Sequence, residues 1–114
     1  MTKSKESNPM PIRVPAGKSD DLKPGETRRI EIEGDTVCVL NVEGAFYAIS
    51  NICPHASAPM DQGFVENCRI TCSWHGWSFQ LDCPEDDIPR DGLWRYRIHV
   101  DDGDLFIETP AINA

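Results

Sequence analysis

Long apolar runs are missing from this 114-residue sequence. No stretch approaches the roughly 18 consecutive apolar residues that a membrane-spanning helix requires, so a membrane span is excluded. Basic residues are also scarce, because 11 Lys and Arg stand against 19 Asp and Glu and give a formal net charge of −8. Such a charge argues against nucleic acid and anionic membrane surfaces, so neither is an expected partner.

The start of the chain lacks the features of an export signal. Residues 1–9 include basic side chains without an apolar core behind them, and no twin-arginine signal is present. We therefore expect a cytoplasmic protein with a mobile polar tail over residues 1–9. The remaining length suits one domain, which we place at residues 10–109, followed by a C-terminal tail over residues 110–114.

Helical periodicity is missing too, and the apolar residues instead form short strands separated by tight turns. Alternation or short apolar runs predict strands at residues 29–33, 37–40, 46–49, 69–71, 77–81, 93–100 and 105–107. Glycine-containing turns separate several of them. The pattern predicts an all-β fold, either a sandwich or a small barrel.

Two short segments each carry one cysteine and one histidine: Cys53-Pro-His55 and Cys72-Ser-Trp-His75. Two thiolates and two imidazoles can hold a pair of irons, with both cysteines on one iron and both histidines on the other. Zinc accepts the same donors, but zinc fingers usually place both cysteines before both histidines, whereas here the order alternates. The four residues therefore predict a metal centre in which an iron-sulfur cluster is favoured over zinc.

The residues around these segments resemble the two cluster-binding loops of Rieske 2Fe-2S proteins, including a His-Gly-Trp continuation after the second cysteine. The resemblance covers nearly the whole predicted domain. It implies one 2Fe-2S cluster ligated by Cys53, His55, Cys72 and His75. It also implies that two loops hold the cluster at one end of a Rieske-type antiparallel β sandwich or small barrel.

Two departures separate the chain from the respiratory Rieske proteins. Those proteins place a serine and a tyrosine, whose hydroxyls bond near the cluster, where this chain has Trp77 and Phe79. They also join their loops by a disulfide at the positions of Ala58 and Trp74. Without the hydroxyl donors we expect a potential toward the bottom of the range of about −150 to +300 mV for histidine-ligated clusters. The chain thus looks like the ferredoxin branch of the family.

The ferredoxin branch implies an electron carrier and not an enzyme. Such a protein passes single electrons from a flavin-dependent reductase to a terminal oxygenase or another acceptor, and we expect a monomer. A complete Rieske oxygenase needs a second, mononuclear iron site, for which only one further histidine remains in the sequence. Two alternatives stay open: a small Rieske-like subunit of an assimilatory nitrite reductase-type enzyme, and a zinc-stabilised, non-redox interaction module.

The third histidine and the other cysteines have ordinary structural interpretations. His99 shares the polar face of a predicted strand with Arg95 and Arg97, so we expect it to be solvated. An apolar strand contains Cys38, which predicts a packed thiol. The last two cysteines, at positions 68 and 83, are expected to stay unpaired, since a cytoplasmic compartment keeps thiols reduced.

Overall fold

A computed structural model describes residues 12–32, 34–53, 59–73 and 76–112. Nine strands occupy most of this part of the chain. They are β1 (Ile12–Lys18), β2 (Thr27–Ile32), β3 (Asp35–Val42), β4 (Ala45–Ser50), β5 (Phe64–Glu66), β6 (Arg69–Thr71), β7 (Ser78–Gln80), β8 (Arg95–Asp101) and β9 (Asp104–Thr109). The described residues include three single-turn 3-10 helices but no α-helix, so the all-β prediction is confirmed.

The strands form two antiparallel sheets. The larger sheet has six strands in the order β1-β9-β8-β4-β3-β2, and the smaller sheet has three in the order β5-β6-β7. Neighbouring strands are joined by tight hairpins at several points, as the turn signals predicted. The smaller sheet is inserted in the chain between β4 and β8 of the larger sheet.

All seven predicted strands are present, and two further strands were missed. Strand β1 contains Pro15 and Gly17, which disfavour a strand in the middle of a sheet. It is tolerated because β1 is an edge strand that pairs with β9 alone, and its register is irregular between Pro15 and Lys18. The second missed strand, β5, has only three residues, too few to show an alternating pattern.

Buried side chains form two clusters on opposite faces of strand β3. Cys38 and Leu40 belong to the cluster shared with the smaller sheet, whereas Val37 and Val39 belong to the other cluster. Successive side chains of a strand point to opposite faces, so β3 is covered by apolar contacts on both sides. Ile70 of the smaller sheet packs in the first cluster, which is where the two sheets meet.

Arg95 is buried, although the alternation of β8 placed it on a polar face. Only 4% of the residue is exposed. Its guanidinium donates to the carbonyl of Gln80 at 2.7 Å, to the carbonyl of Leu93 at 3.1 Å and to both carboxylate oxygens of Asp91 at 3.0 and 2.9 Å. Because Gln80 ends β7, this one side chain connects the smaller sheet to the larger one.

The expectation that His99 is solvated is met only in part, because the imidazole is partly buried against a neighbouring strand. Its side chain is 29% exposed, and its Nε2 lies 2.9 Å from Oε1 of Glu108 on the neighbouring strand β9. The other carboxylate oxygen of Glu108 accepts from Arg97 at 3.4 Å. The hydrogen bond from His99 holds the pKa of Glu108 below its usual value. Cross-strand pairing, which the sequence pattern of a single strand does not show, thus partly covers the imidazole.

The ends of the chain are described only in part. The predicted tail over residues 1–9 lies outside the described residues. At the other end, Ala111 packs against the second buried cluster, and the backbone N–H of Ile112 donates to the carbonyl of Arg95 at 2.8 Å. The domain boundaries at residues 10 and 109 stay predictions. In the part of the chain that the structure describes, no helix has the length and apolar character needed to cross a membrane.

We predict that Asp91→Asn lowers the free energy of unfolding by about 3 kcal/mol, because the buried charge of Arg95 loses its carboxylate partner. Burial acts to raise the pKa of Asp91, but the bonds from Arg95 and from the Leu93 N–H hold this pKa below its usual value. The stabilisation is therefore present above the usual pKa of about 3.9 and is lost as the pH falls through the lowered pKa.

Urea unfolding at neutral and acidic pH measures this effect, and the variant should lose less stability on acidification than the native protein. Asp104→Asn is the control, since it removes the exposed partner of Lys18. An exposed pair contributes less than about 1 kcal/mol. Equal losses in the two variants would contradict the assignment.

Candidate metal centre

The structure describes two of the four predicted ligands, Cys53 and Cys72. Both are buried cysteines in the same apolar cluster, so the fold brings together two segments that are distant in sequence. His55 and His75 lie outside the described residues. Two buried cysteine sulfurs in one apolar cluster fit a soft metal centre, since thiolate ligands suit iron-sulfur clusters and zinc.

The first loop leaves the end of strand β4 and carries Cys53. Its base is closed by an isolated antiparallel bridge between Ile52 and Pro59. Directly before the bridge, the carbonyl of Asn51 accepts from the N–H of Met60 at 2.7 Å, and its side-chain Oδ1 accepts from the N–H of Asp61 at 2.8 Å. Cys53 therefore follows two residues, Asn51 and Ile52, that are bonded to the segment after the first loop.

The second loop is the tip of the β6–β7 hairpin and carries Cys72. Thr71 pairs with Ser78 across the ladder, and their hydroxyl oxygens lie 2.8 Å apart. The N–H of Cys72 donates to the carbonyl of Trp77 at 2.8 Å, and the carbonyl of Cys72 accepts from the N–H of Gly76 at 2.9 Å. The backbone of this cysteine is thus held on both its donor and its acceptor side.

A short turn connects the two loops in space. The 3-10 turn Met60–Gln62 follows the first loop, and the side chain of Met60 is buried in the same cluster as both cysteines. Next comes Gly63, where an added Cβ would overlap the carbonyl oxygen of Thr71, directly before Cys72. Glycine is required there by this close backbone approach, which sets the first loop against the second.

The other three cysteines are separate from this arrangement. Cys38 is the packed thiol that the sequence predicted, and burial, with a smaller effect of Asp61, raises its pKa to about 12. Cys68 and Cys83 are not joined by a disulfide in this structure. The sulfur of Cys68 donates to the hydroxyl of Tyr47 at 3.4 Å, and this bond is the main reason that the pKa of Tyr47 rises to about 12.

Exposed apolar side chains surround the two loops. Ile52 lies beside Cys53, Trp77 ends the second loop, and Phe64 pairs with Thr71 on the neighbouring strand; all three are exposed. Sequence reasoning missed the positions of Ile52 and Phe64. It also missed Asn51 and Gly63. The available signal for Asn51 was a polar residue between a predicted strand and a predicted ligand, and the signal for Gly63 was a glycine after a turn.

Among the described residues, no three His, Cys, Asp or Glu side chains lie close enough together to hold a metal ion. This finding does not bear on a centre with two cysteine and two histidine ligands, because both predicted histidines lie outside the described residues. Of the four predicted metal ligands, the described residues include the two cysteines. This pair fits the cluster that the sequence predicts.

Residues 12–97 match the Rieske [2Fe-2S] domain. The chain is 36% identical over 101 residues to the 3-phenylpropionate/cinnamic acid dioxygenase ferredoxin subunit of Escherichia coli K12, covering 86% of this chain and 94% of the relative. A solved complex of reduced oxygenase and oxidized ferredoxin in carbazole 1,9a-dioxygenase contains a chain with a TM-score of 0.73 and 25% identity, covering 84% of this chain and 92% of that chain. A putative NADH-dependent nitrite reductase small subunit from Mycobacterium tuberculosis shares the fold, with a TM-score of 0.78 and 23% identity over 90% of this chain and 99% of that chain. The buried cysteine pair, the two closed loops and these similarities lead to one conclusion: the chain belongs to the Rieske [2Fe-2S] domain family.

Proposed function

We propose that the protein is a Rieske-type ferredoxin, an electron carrier that passes single electrons to the terminal oxygenase of a dioxygenase system. The observation that carries this proposal is the 36% identity to a dioxygenase ferredoxin subunit along 94% of that subunit. We further propose that a flavin-dependent reductase supplies the electrons and that the protein acts as a cytoplasmic monomer.

The proposed ligands are Cys53 and Cys72 on one iron and His55 and His75 on the other. The cluster, when bound, accepts and releases one electron. The two cysteines lie in an apolar interior, and cysteine sulfurs suit the iron of an iron-sulfur cluster. Buried apolar neighbours such as Phe79 exclude water from the sulfur side of the site. The closed loop bases keep the two sulfurs from separating.

The surface around the two loops suits brief contact with a redox partner. Trp77, Phe64 and Ile52 give it an apolar character, and weak electron-transfer complexes use small interfaces. The acidic turn between β8 and β9 is remote from it. Strand β8 pairs antiparallel with β4 and so runs away from the first loop, which places Asp101 and Asp102 at the opposite end of the sheet.

The two alternatives make different predictions. The likeness to the nitrite reductase small subunit shows a shared fold and not a shared function. Co-purification of the protein in a tight stoichiometric complex would favour the role of an enzyme subunit. The zinc-stabilised interaction module would be colourless, would contain zinc and would lack acid-labile sulfide. Visible and electron paramagnetic resonance spectra of the reduced protein distinguish a Rieske cluster from zinc.

We predict that Cys53→Ser and Cys72→Ser each abolish the cluster, because each removes a sulfur ligand from the same iron. Cys83→Ser is the matched control, since this thiol is free and lies outside the buried cluster of the ligands. Iron and acid-labile sulfide per chain are measured after anaerobic purification. Full sulfide content in either ligand variant would contradict the ligand assignment.

We predict that Phe79→Tyr raises the midpoint potential. Phe79 is buried in the same group of apolar residues as Cys53 and Cys72, and respiratory Rieske proteins have a tyrosine at this position. A new hydroxyl there can stabilise the reduced iron-sulfur cluster. A hydrogen bond to a charged group contributes about 1.5 kcal/mol, which corresponds to about 60 mV for one electron. Redox titration of both proteins measures the shift, and an unchanged or lower potential would refute the role given to this position.

We predict that Trp77→Ala raises the apparent KM of the oxygenase for the reduced ferredoxin by about tenfold, as expected for loss of an aromatic contact at an interface. Val100→Ala is the control, because Val100 is similarly exposed, 54% against 50% for Trp77, at the opposite end of the sheet. Steady-state turnover with varied ferredoxin gives both values. Similar effects of the two substitutions would argue against docking at the loops.

A further inference from the structure

Asn51 is a polar side chain with only 2% exposure, located between strand β4 and the first proposed ligand. Its backbone N–H donates to the carbonyl of Thr36 at 2.8 Å, which anchors it to β3. Its backbone carbonyl and its side-chain oxygen accept from the N–H groups of Met60 and Asp61. Asn51, which precedes the first loop, thus holds Met60 and Asp61, which follow that loop.

The turn that Asn51 holds is itself anchored elsewhere. The carbonyl of Asp61 accepts from the hydroxyl of Thr27 at 3.2 Å, and its carboxylate Oδ2 lies 3.4 Å from the guanidinium of Arg29. Two residues later, Gly63 lies against the backbone of Thr71, which precedes the second ligand cysteine. A continuous set of contacts therefore runs from Asn51 through this turn to the second loop.

Breaking the side-chain bond of Asn51 would act on loop closure. The peptide N–H of Asp61 would lose its acceptor, and a partly buried donor without an acceptor destabilises the structure around it. The bond from Met60 and the bridge between Ile52 and Pro59 would remain, so the fold would persist with a looser loop base. Loosening at this point changes the position of Cys53, two residues away, relative to the second loop.

We propose that Asn51 is a positioning residue of the cluster site, whose side-chain amide oxygen clamps the base of the first ligand loop and so retains the cluster. The proposal rests on the proposed function, since it assumes that Cys53 is a cluster ligand. In this role Asn51 acts through Met60 and Asp61.

A second buried asparagine provides a matched control. Asn41 is 4% exposed and makes two side-chain hydrogen bonds, donating to the carbonyl of Leu22 at 2.7 Å and accepting from the N–H of Gly44 at 2.8 Å. It lies near the end of β3, at the β3–β4 turn, and this turn is at the other end of β4 from the first loop. Both asparagines should contribute similarly to fold stability, but only Asn51 closes a ligand loop.

The experiment compares the holoproteins of Asn51→Ala, Asn51→Asp and Asn41→Ala. The rate of iron transfer to a chelator is followed by the loss of visible absorbance, and unfolding in urea gives stability. We expect Asn51→Ala to release iron about tenfold faster, as for loss of a group that orients a metal ligand. Asn51→Asp keeps the acceptor for the Asp61 N–H and should restore slow release. Asn41→Ala should lower stability without accelerating release.

Amide hydrogen exchange at Asp61 separates this proposal from the proposed function. Faster exchange at Asp61 in Asn51→Ala than in Asn41→Ala, measured on each purified protein, supports the clamp with or without a cluster. Equal iron release from the two alanine variants, or no rescue by Asn51→Asp, would overturn the proposal. Absence of acid-labile sulfide from the native protein, with the exchange difference intact, would instead refute the electron-carrier function.

Discussion

The packing of the three-stranded sheet against the six-stranded sheet is the constraint on which the site depends. Cys53 follows a strand of the larger sheet, and Cys72 follows a strand of the smaller one. Any sliding of one sheet over the other would therefore separate the two sulfurs. Apolar side chains from both sheets fill the space between them, including Leu40 and Ile70, and burial of such side chains stabilises by about 1.5 to 3 kcal/mol each.

Polar contacts fix the position of the two sheets and of the first loop relative to one another. Arg95 connects the end of β7 to the start of β8, and its planar guanidinium satisfies carbonyls and a carboxylate at fixed angles. Asn51 does the same for the first loop through the turn that begins at Met60. Hydrophobic contacts are not directional, so these hydrogen bonds specify which of many similar packings is adopted.

The sequence was most informative where a short segment determines its own structure. Hairpin turns and alternating strands were predicted because their signals are local, and the same holds for the cysteine and histidine spacing. Arg95 was placed on a polar face because its carbonyl acceptor belongs to β7, which the pattern of β8 does not reveal. Asn51 was missed for the same reason, since its partners lie beyond the first loop. The fold class was thus predictable and candidate ligands could be proposed, whereas the contacts that fix the geometry of the loops could not.

The buried thiol of Cys38 has a chemical consequence for a protein whose two proposed sulfur ligands lie in the same apolar cluster. Disulfide exchange proceeds through a thiolate, and a pKa of about 12 leaves this sulfur almost entirely protonated at neutral pH. Cys38 shares its apolar surroundings with Cys53 and Cys72 but is nearly inert as a nucleophile. Oxidative damage to either of those cysteines would therefore not spread to it by sulfur scrambling.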